Sequence, residues 1–176
     1  MSYIQKTNTI VLEIPKCGSR SLFIASNTDS LKGHKTLKEV LAYKKHRPNP
    51  TVIAVIRNPA DRFASAINHH YAKSWPGMSL DQVMAVIVKN GTAFNAMFTP
   101  QADYLEGGTE PYKLTLYPFE RIEEALAEIG EGTHQNAGTY KWTVEEISAH
   151  HLFDQCMDQF REDWKWYEYA KQGMAA

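Results

Sequence analysis

The sequence predicts a three-layer α/β domain, a central and mostly parallel sheet flanked by helices, and three observations carry that expectation. Two short β-branched runs, "TIVLEI" at 9–14 and "TVIAVI" at 51–56, are apolar at successive positions, as strands covered on both faces are. The stretch between them is long enough for a βαβ crossover and holds helical material at 19–26 and in "TLKEVLAYKKH" (36–46). A third strand, "KLTLYPF" at 113–119, comes after further helices, completing an α/β order in which ligands sit beyond the carboxyl ends of the strands.

Each element has a local signal. Pro15 ends the first strand, and a serine-rich turn opens the helix at 19–26. Arg57, Asn58 and Pro59 end the second. Asn58 as N-cap, Pro59 at the first helical position and Asp61 in the first turn then specify a helix over 59–73. Further helices are predicted over 79–90, 120–129 and 143–169, the last broken near His150 and His151. The loop-like stretches at 46–50, 74–77 and 130–139 are too short for domain linkers, so one domain spanning 1–176 is expected.

Composition narrows the function classes. The formal net charge is −1, from 19 basic and 20 acidic residues, so the total demands no polyanionic partner such as nucleic acid, and any anion site must be local. Cys17 and Cys156 are the two cysteines, far apart and outside any Cys/His spacing, which argues against a disulfide framework or a structural zinc site. No metal is expected. No run approaches the roughly 18–20 apolar residues of a membrane span, and the first residues do not read as a leader, so a cytoplasmic protein is expected.

The turn after the first strand reads as an anion cradle. Gly18 lets the backbone approach a ligand, Ser19, Arg20 and Ser21 set N–H groups at a helix N-terminus, and Lys16 adds an ammonium. An ordinary strand-to-helix turn with a serine cap is the bland alternative. The nucleoside-triphosphate pattern, in which a lysine and then a hydroxyl follow the second glycine, is absent, because this lysine precedes the glycine.

The second strand end offers a matching feature. On the helix that follows, Arg62, Ser65 and His69 fall within a stripe of about 60°, next to an apolar stripe of Phe63, Ile67 and Tyr71, so one face packs and the other meets a ligand. Arg57 and Ser65 can converge on one oxyanion, the arginine as a fork and the serine as a single donor; a local Arg57–Asp61 pair is the alternative. Two anion-seeking loops on adjacent strand ends suit a ligand with two separate phosphate groups.

With "IPKCGSRSL" (14–22) followed by "VIRNPADRFASAI" (55–67), the chain resembles the sulfotransferases that use 3'-phosphoadenosine-5'-phosphosulfate, and the carbohydrate-type branch most closely. The order of "GHKTLKEV" (33–40), "TPQADYL" (99–105), "LYPFERIEEALAEIG" (116–130) and "TVEEISAHHLFDQCMDQF" (143–160) extends the resemblance over most of the chain. It implies a P-loop-like fold and the 3'-phosphoadenosine-5'-phosphosulfate co-substrate. It assigns Lys16, Gly18, Ser19, Arg20 and Ser21 to the 5'-phosphosulfate, and Arg57 and Ser65 to the 3'-phosphate. Arg20 departs from the family, which commonly has a small or hydroxylated residue there.

The implied reaction transfers a sulfuryl group to an acceptor hydroxyl, with a sugar or glycoconjugate the expected partner. Lys16 is the candidate to neutralise charge on the bridging oxygen. Of seven histidines, His34 is the candidate general base, because histidine is the residue type suited to that work and by the family's usual placement of a base in this region, with a solvent-exposed loop histidine the alternative, Asp29 and Glu39 in reserve and His69 facing the nucleotide instead. In "HQNAGTYKW" (134–142), the resemblance implies a segment that closes over the nucleotide with help from Tyr140 and Lys141, against the alternative of a surface loop with Trp142 tucked into the core. His46 reads as a helix C-terminal cation, His150 and His151 as packing residues pointing to different sides of a helix, and "FREDWKWYEY" (160–169) as helix packing. A nucleotide-binding module of the same fold without turnover, and a small-molecule or nucleotide kinase, are the rival readings. The first binds donor nucleotide without transfer; the second requires magnesium and ATP.

Overall fold

The computed structural model describes residues 1–28, 33–43, 46–91, 95–107, 110–130 and 140–173. Among these, four strands form one sheet in the order β1 (Ser2–Ile4), β2 (Thr9–Leu12), β3 (Thr51–Ile56) and β4 (Lys113–Pro118). β2, β3 and β4 run parallel, with Leu12 paired to Ala54 and Ile56 to Pro118, so the segments following all three leave from the same end of the sheet. β1 is an antiparallel edge strand that the sequence does not announce, because three residues are too few to display a period. Its Ser2 hydroxyl donates to the Glu13 carboxylate at 2.6 Å, which ties the edge to the end of β2.

The helices follow their sequence signals closely at the start and less so at the end. α1 is Ser19–Ser26, α2 Leu37–Ala42, α3 Pro59–Ser74 and α4 Leu80–Asn90. The Asn58 side-chain oxygen accepts from the N–H groups of Ala60 and Asp61, and Thr36 and Ser79 head capping boxes with Glu39 and Gln82. α2 stops short of the predicted 46. His46 lies beyond it, its ring nitrogens facing the carbonyls of Leu41 and Arg47 at 3.1 and 3.0 Å. A five-residue helix, α5 (Gln101–Leu105), is too short to show a pattern; α6 is Ile122–Ile129, entered through a 3-10 turn at Phe119–Arg121. The predicted helix at 143–169 is three helices, α7 (Val144–Ser148), α8 (Phe153–Met157) and α9 (Arg161–Lys171), broken at 149–152 and again by the 3-10 turn Asp158–Phe160.

Val52 to Ile56 are all buried, so β3 is covered on both faces. α1 packs on α6 in one layer; α9 lies on β3 and β4, with α5 against α9 and α2 against α5. A second apolar cluster gathers under α3, where the Phe63 ring lies 5.9, 6.2 and 5.8 Å from those of Phe98, Phe153 and Phe160. The middle of α3, residues 62–68, is buried all round instead of showing an open polar face. No helix among the described residues is long and apolar enough to cross a membrane.

The α1–α6 layer is closely fitted at Gly130, where an added Cβ would stand 2.6 Å from the carbonyl oxygen of Ala25. Gly130→Ala is expected to force the two helices apart and cost about 1–3 kcal/mol of stability, read from urea denaturation midpoints at constant slope.

Candidate functional site

At the end of β2 the chain turns sharply through residues 15–18. The Cys17 N–H donates to the Ile14 carbonyl at 3.2 Å, and both Lys16 (φ 66°) and Gly18 (φ 75°) take the left-handed conformation. For Gly18 this carries no penalty, and a side chain there would also collide with Ile122 Cδ1. For Lys16 the same conformation costs about 1–2 kcal/mol, and such strain persists where surrounding structure imposes it. Gly18 caps α1 without a side-chain hydrogen bond, and the first helical bond runs from Leu22 N–H to the Gly18 carbonyl at 3.0 Å. The amides ahead of that bond have no acceptor within the helix. Ser19 is half-buried, Arg20 exposed and Ser21 buried, so the accessible hydroxyl of the predicted set belongs to Ser19.

Arg57 leaves the end of β3 beside this turn. Its guanidinium lies 4.5 Å from the Phe119 ring centroid and donates through Nη1 to the Lys16 carbonyl at 3.4 Å. Its buried Nε finds no hydrogen-bond partner among the described residues. Neither Lys16 nor Arg57 forms an ion pair among them, so the Arg57–Asp61 pair offered as the alternative is not made. Asp61 titrates above the usual carboxylate range because it is desolvated, with Arg57 opposing that shift from a distance.

Burial, then the positive charges of Arg57 and Lys73, push the Lys16 ammonium below the usual lysine pKa. His69 is likewise lowered, first by burial and then by Lys16 and Lys73, which places it in the same field. The strand ends therefore concentrate positive charge in a chain that is nearly neutral overall.

Arg62 does not join this ligand-facing group. It is 2% exposed, donating through Nε to the Pro15 carbonyl at 3.0 Å and through Nη2 to the Thr99 carbonyl at 2.9 Å, a tie between loops and not a ligand contact. Ser65, one turn on, is also buried, so the predicted Arg57–Ser65 fork has its arginine half-buried and its serine enclosed. Tyr140 and Lys141 are exposed, and Asn68 docks Lys141 and Trp142 on α3: its Oδ1 accepts from the N–H groups of Lys141 and Trp142 at 2.6 and 3.0 Å, and its Nδ2 donates to the Trp142 carbonyl at 2.9 Å. Residues 134–139 of the same predicted loop lie outside the described residues.

His34 reaches the same end of the sheet. Its Nδ1 is 2.7 Å from the Glu13 carbonyl oxygen, which only accepts, so Nδ1 carries the proton and Nε2 of the neutral ring keeps its lone pair. Glu39, held in reserve as a base, is occupied instead: its carboxylate accepts the Thr36 N–H at 2.8 Å, and that bond lowers its pKa. Asp29 lies outside the described residues.

Several residues of the site have no sequence signal. Gln101, at no exposure, accepts from the Arg57 N–H at 2.9 Å and from the Cys17 thiol at 3.0 Å, and donates to the Arg57 carbonyl at 2.9 Å. Asp163, equally buried, accepts from the backbone N–H groups of Gln101 and Ala102, both at 2.9 Å. Burial raises the Asp163 carboxyl above its usual range and pushes the Cys17 thiol up to about 11.

The His150–His151 pair is not on a helix, as predicted, but in the turn before α8, with ring centroids 4.5 Å apart. Together with Asp81 their ligand atoms fall within 4.8 Å of one another. His150 Nδ1 accepts from the Leu152 N–H at 3.2 Å, leaving the proton on the Nε2 that faces Asp81 at 2.9 Å. Metal-binding histidines have the reverse arrangement, the far nitrogen donating and the near one bare.

Comparison of the chain with family models, curated proteins and solved structures finds no match.

An anion placed between Lys16 and Arg57 relieves their repulsion. Sulfate is expected to raise the melting temperature beyond the effect of sodium chloride at equal ionic strength, with that increment lost in Lys16→Ala and in Arg57→Ala. Bound sulfate raises the Lys16 pKa, so the increment should shrink as pH climbs through the lowered Lys16 pKa, at less alkaline pH than an ordinary lysine would give. Without sulfate the sign reverses. In the same window the unfolded chain holds the Lys16 proton longer than the folded one, so this group's contribution to stability rises with pH.

Proposed function

We propose that the protein is a sulfotransferase of P-loop-like α/β architecture, moving the sulfuryl group of 3'-phosphoadenosine-5'-phosphosulfate to an acceptor hydroxyl, on a carbohydrate. One observation carries the reading. Two cationic side chains without carboxylate partners among the described residues, Lys16 and Arg57, leave adjacent parallel strands at the same end of the sheet and are joined through the Lys16 carbonyl. That arrangement fits a ligand with two anionic groups on one scaffold, which is what the resemblance of the two sequence motifs implies.

In this reading the turn at 15–18 and the N-terminus of α1 hold the 5'-phosphosulfate, and Arg57 holds the 3'-phosphate, its flat face braced on Phe119. His34 Nε2 takes the proton of the acceptor hydroxyl as the new oxygen–sulfur bond forms. The bond between sulfur and the bridging oxygen breaks, its electron pair leaves on the 5'-phosphate, and Lys16 neutralises that charge. Adenosine 3',5'-bisphosphate is the second product. The lowered Lys16 pKa costs nothing once the leaving phosphate is beside it, because the anion restores the charged form.

Calorimetric titration with adenosine 3',5'-bisphosphate and with ATP and magnesium tests the donor class. Selective binding of the bisphosphate is expected; preference for ATP, or no binding of either, overturns the reading. Arg57→Ala should bind nucleotides with and without the 3'-phosphate equally well, and unchanged discrimination would remove Arg57 from its assigned role. On transfer kinetics, His34→Gln is expected to lower kcat by about 10²–10⁴-fold with little change in donor affinity. Lys16→Ala should lose transfer far more than nucleotide binding. Wild-type binding without transfer to any acceptor in a screen of sugars and small alcohols would favour the nucleotide-binding module.

A further inference from the structure

We infer that Gln101 is a positioning residue that fixes the separation of the two anion-binding loops and thereby the preference for a nucleotide with two phosphates; the inference rests on the donor reading above. Gln101 is fully enclosed at the start of α5 and touches both loops. Its Oε1 accepts from the N–H of Arg57 at 2.9 Å and from the thiol of Cys17 at 3.0 Å, the residue between Lys16 and Gly18. Its Nε2 donates to the Arg57 carbonyl at 2.9 Å and faces Asp163 Oδ2 at 3.4 Å. One side chain therefore satisfies both backbone groups of Arg57 while holding the middle of the first turn.

The chemistry of the position is restrictive. Pairing both the N–H and the carbonyl of one residue requires an acceptor and a donor on the same group, which an amide supplies and a carboxylate does not. A glutamate would leave the Arg57 carbonyl without its donor and set a second carboxylate against Asp163. Arg62 reinforces the frame by joining the Pro15 and Thr99 carbonyls, so the segment leading into Gln101 is tied to the first turn as well. A ligand gripped at one anionic group tolerates a shift of one loop against the other. A ligand gripped at two does not.

The test measures two affinities of the full chain by calorimetry, for adenosine 3',5'-bisphosphate and for adenosine 5'-phosphate. Gln101→Met keeps the volume and removes the hydrogen bonds; it is expected to weaken bisphosphate binding by about tenfold or more, and adenosine 5'-phosphate binding by less, so the ratio contracts. In an Arg57→Ala background the same substitution should leave the ratio where Arg57→Ala alone puts it, because its effect runs through Arg57. Ile87→Val, a truncation in the separate cluster beneath α3 and α4, controls for lost stability and should keep the wild-type ratio. Gln101→Asn is polar but a methylene too short, should contract the ratio similarly, and serves if Gln101→Met does not fold. A folded Gln101 variant with the wild-type ratio, or additivity with Arg57→Ala, overturns the inference and leaves the donor reading intact. A wild-type protein without preference for the bisphosphate overturns the donor reading and the inference together.

Discussion

The strand-end loops depend on one enclosed carboxylate, that of Asp163 on α9. Stripping a carboxylate of water costs several kcal/mol, and the cost is offset only where donors surround it. Here the backbone N–H groups of Gln101 and Ala102 both reach it, and the positive field of Arg62 opposes the effect of burial on its pKa. α5 starts after Pro100 with no side-chain cap of its own, so Asp163, 62 positions after Gln101, supplies the cap. With α5 anchored, Gln101 is aimed at Arg57 and Cys17. A helix near the end of the chain thus sets the geometry of loops that follow its first and second parallel strands.

This dependence explains how the fold sustains an unfavourable charge arrangement. Lys16 sits in a strained backbone conformation, partly desolvated, near Arg57 and Lys73, with no carboxylate bound to it among the described residues. Most other basic side chains that make ion pairs do so on the surface, as Arg121 with Glu124 and Arg161 with Asp158 do, where the pairing contributes little to stability. A cluster of cations without ion pairs among the described residues has to be held by something else. The turn bond to Ile14, the Arg62 tie to Pro15 and the Gln101 contacts are that restraint.

The sequence made the local features readable and hid the tertiary ones. The parallel strands, the Asn58 cap and the turn at 15–18 are written in short-range chemistry: β-branched runs, a capping residue followed by proline, a glycine at a left-handed position. Arg62 illustrates what does not carry over. Helical spacing puts it on a stripe with Ser65 and His69, yet only the packed protein reveals that α3 is enclosed along 62–68 and that this arginine faces carbonyl groups. Gln101 and Asp163 look like ordinary polar residues, one in a short loop and one in an aromatic-rich helix; their burial follows from a contact across 62 residues of sequence. Asn68, which docks residues 141–142, is equally silent in the sequence.

Cys17 adds a property of another kind. Its sulfur lies at the centre of the first turn, wholly enclosed, hydrogen-bonded to Gln101, with its thiol titrating at about 11. Alkylating reagents and peroxide react with the thiolate, which is scarce here at neutral pH and shielded besides. The turn is therefore chemically quiet while it is folded, and oxidants that modify exposed cysteines pass it by. Its rate of modification then reports local opening of the turn.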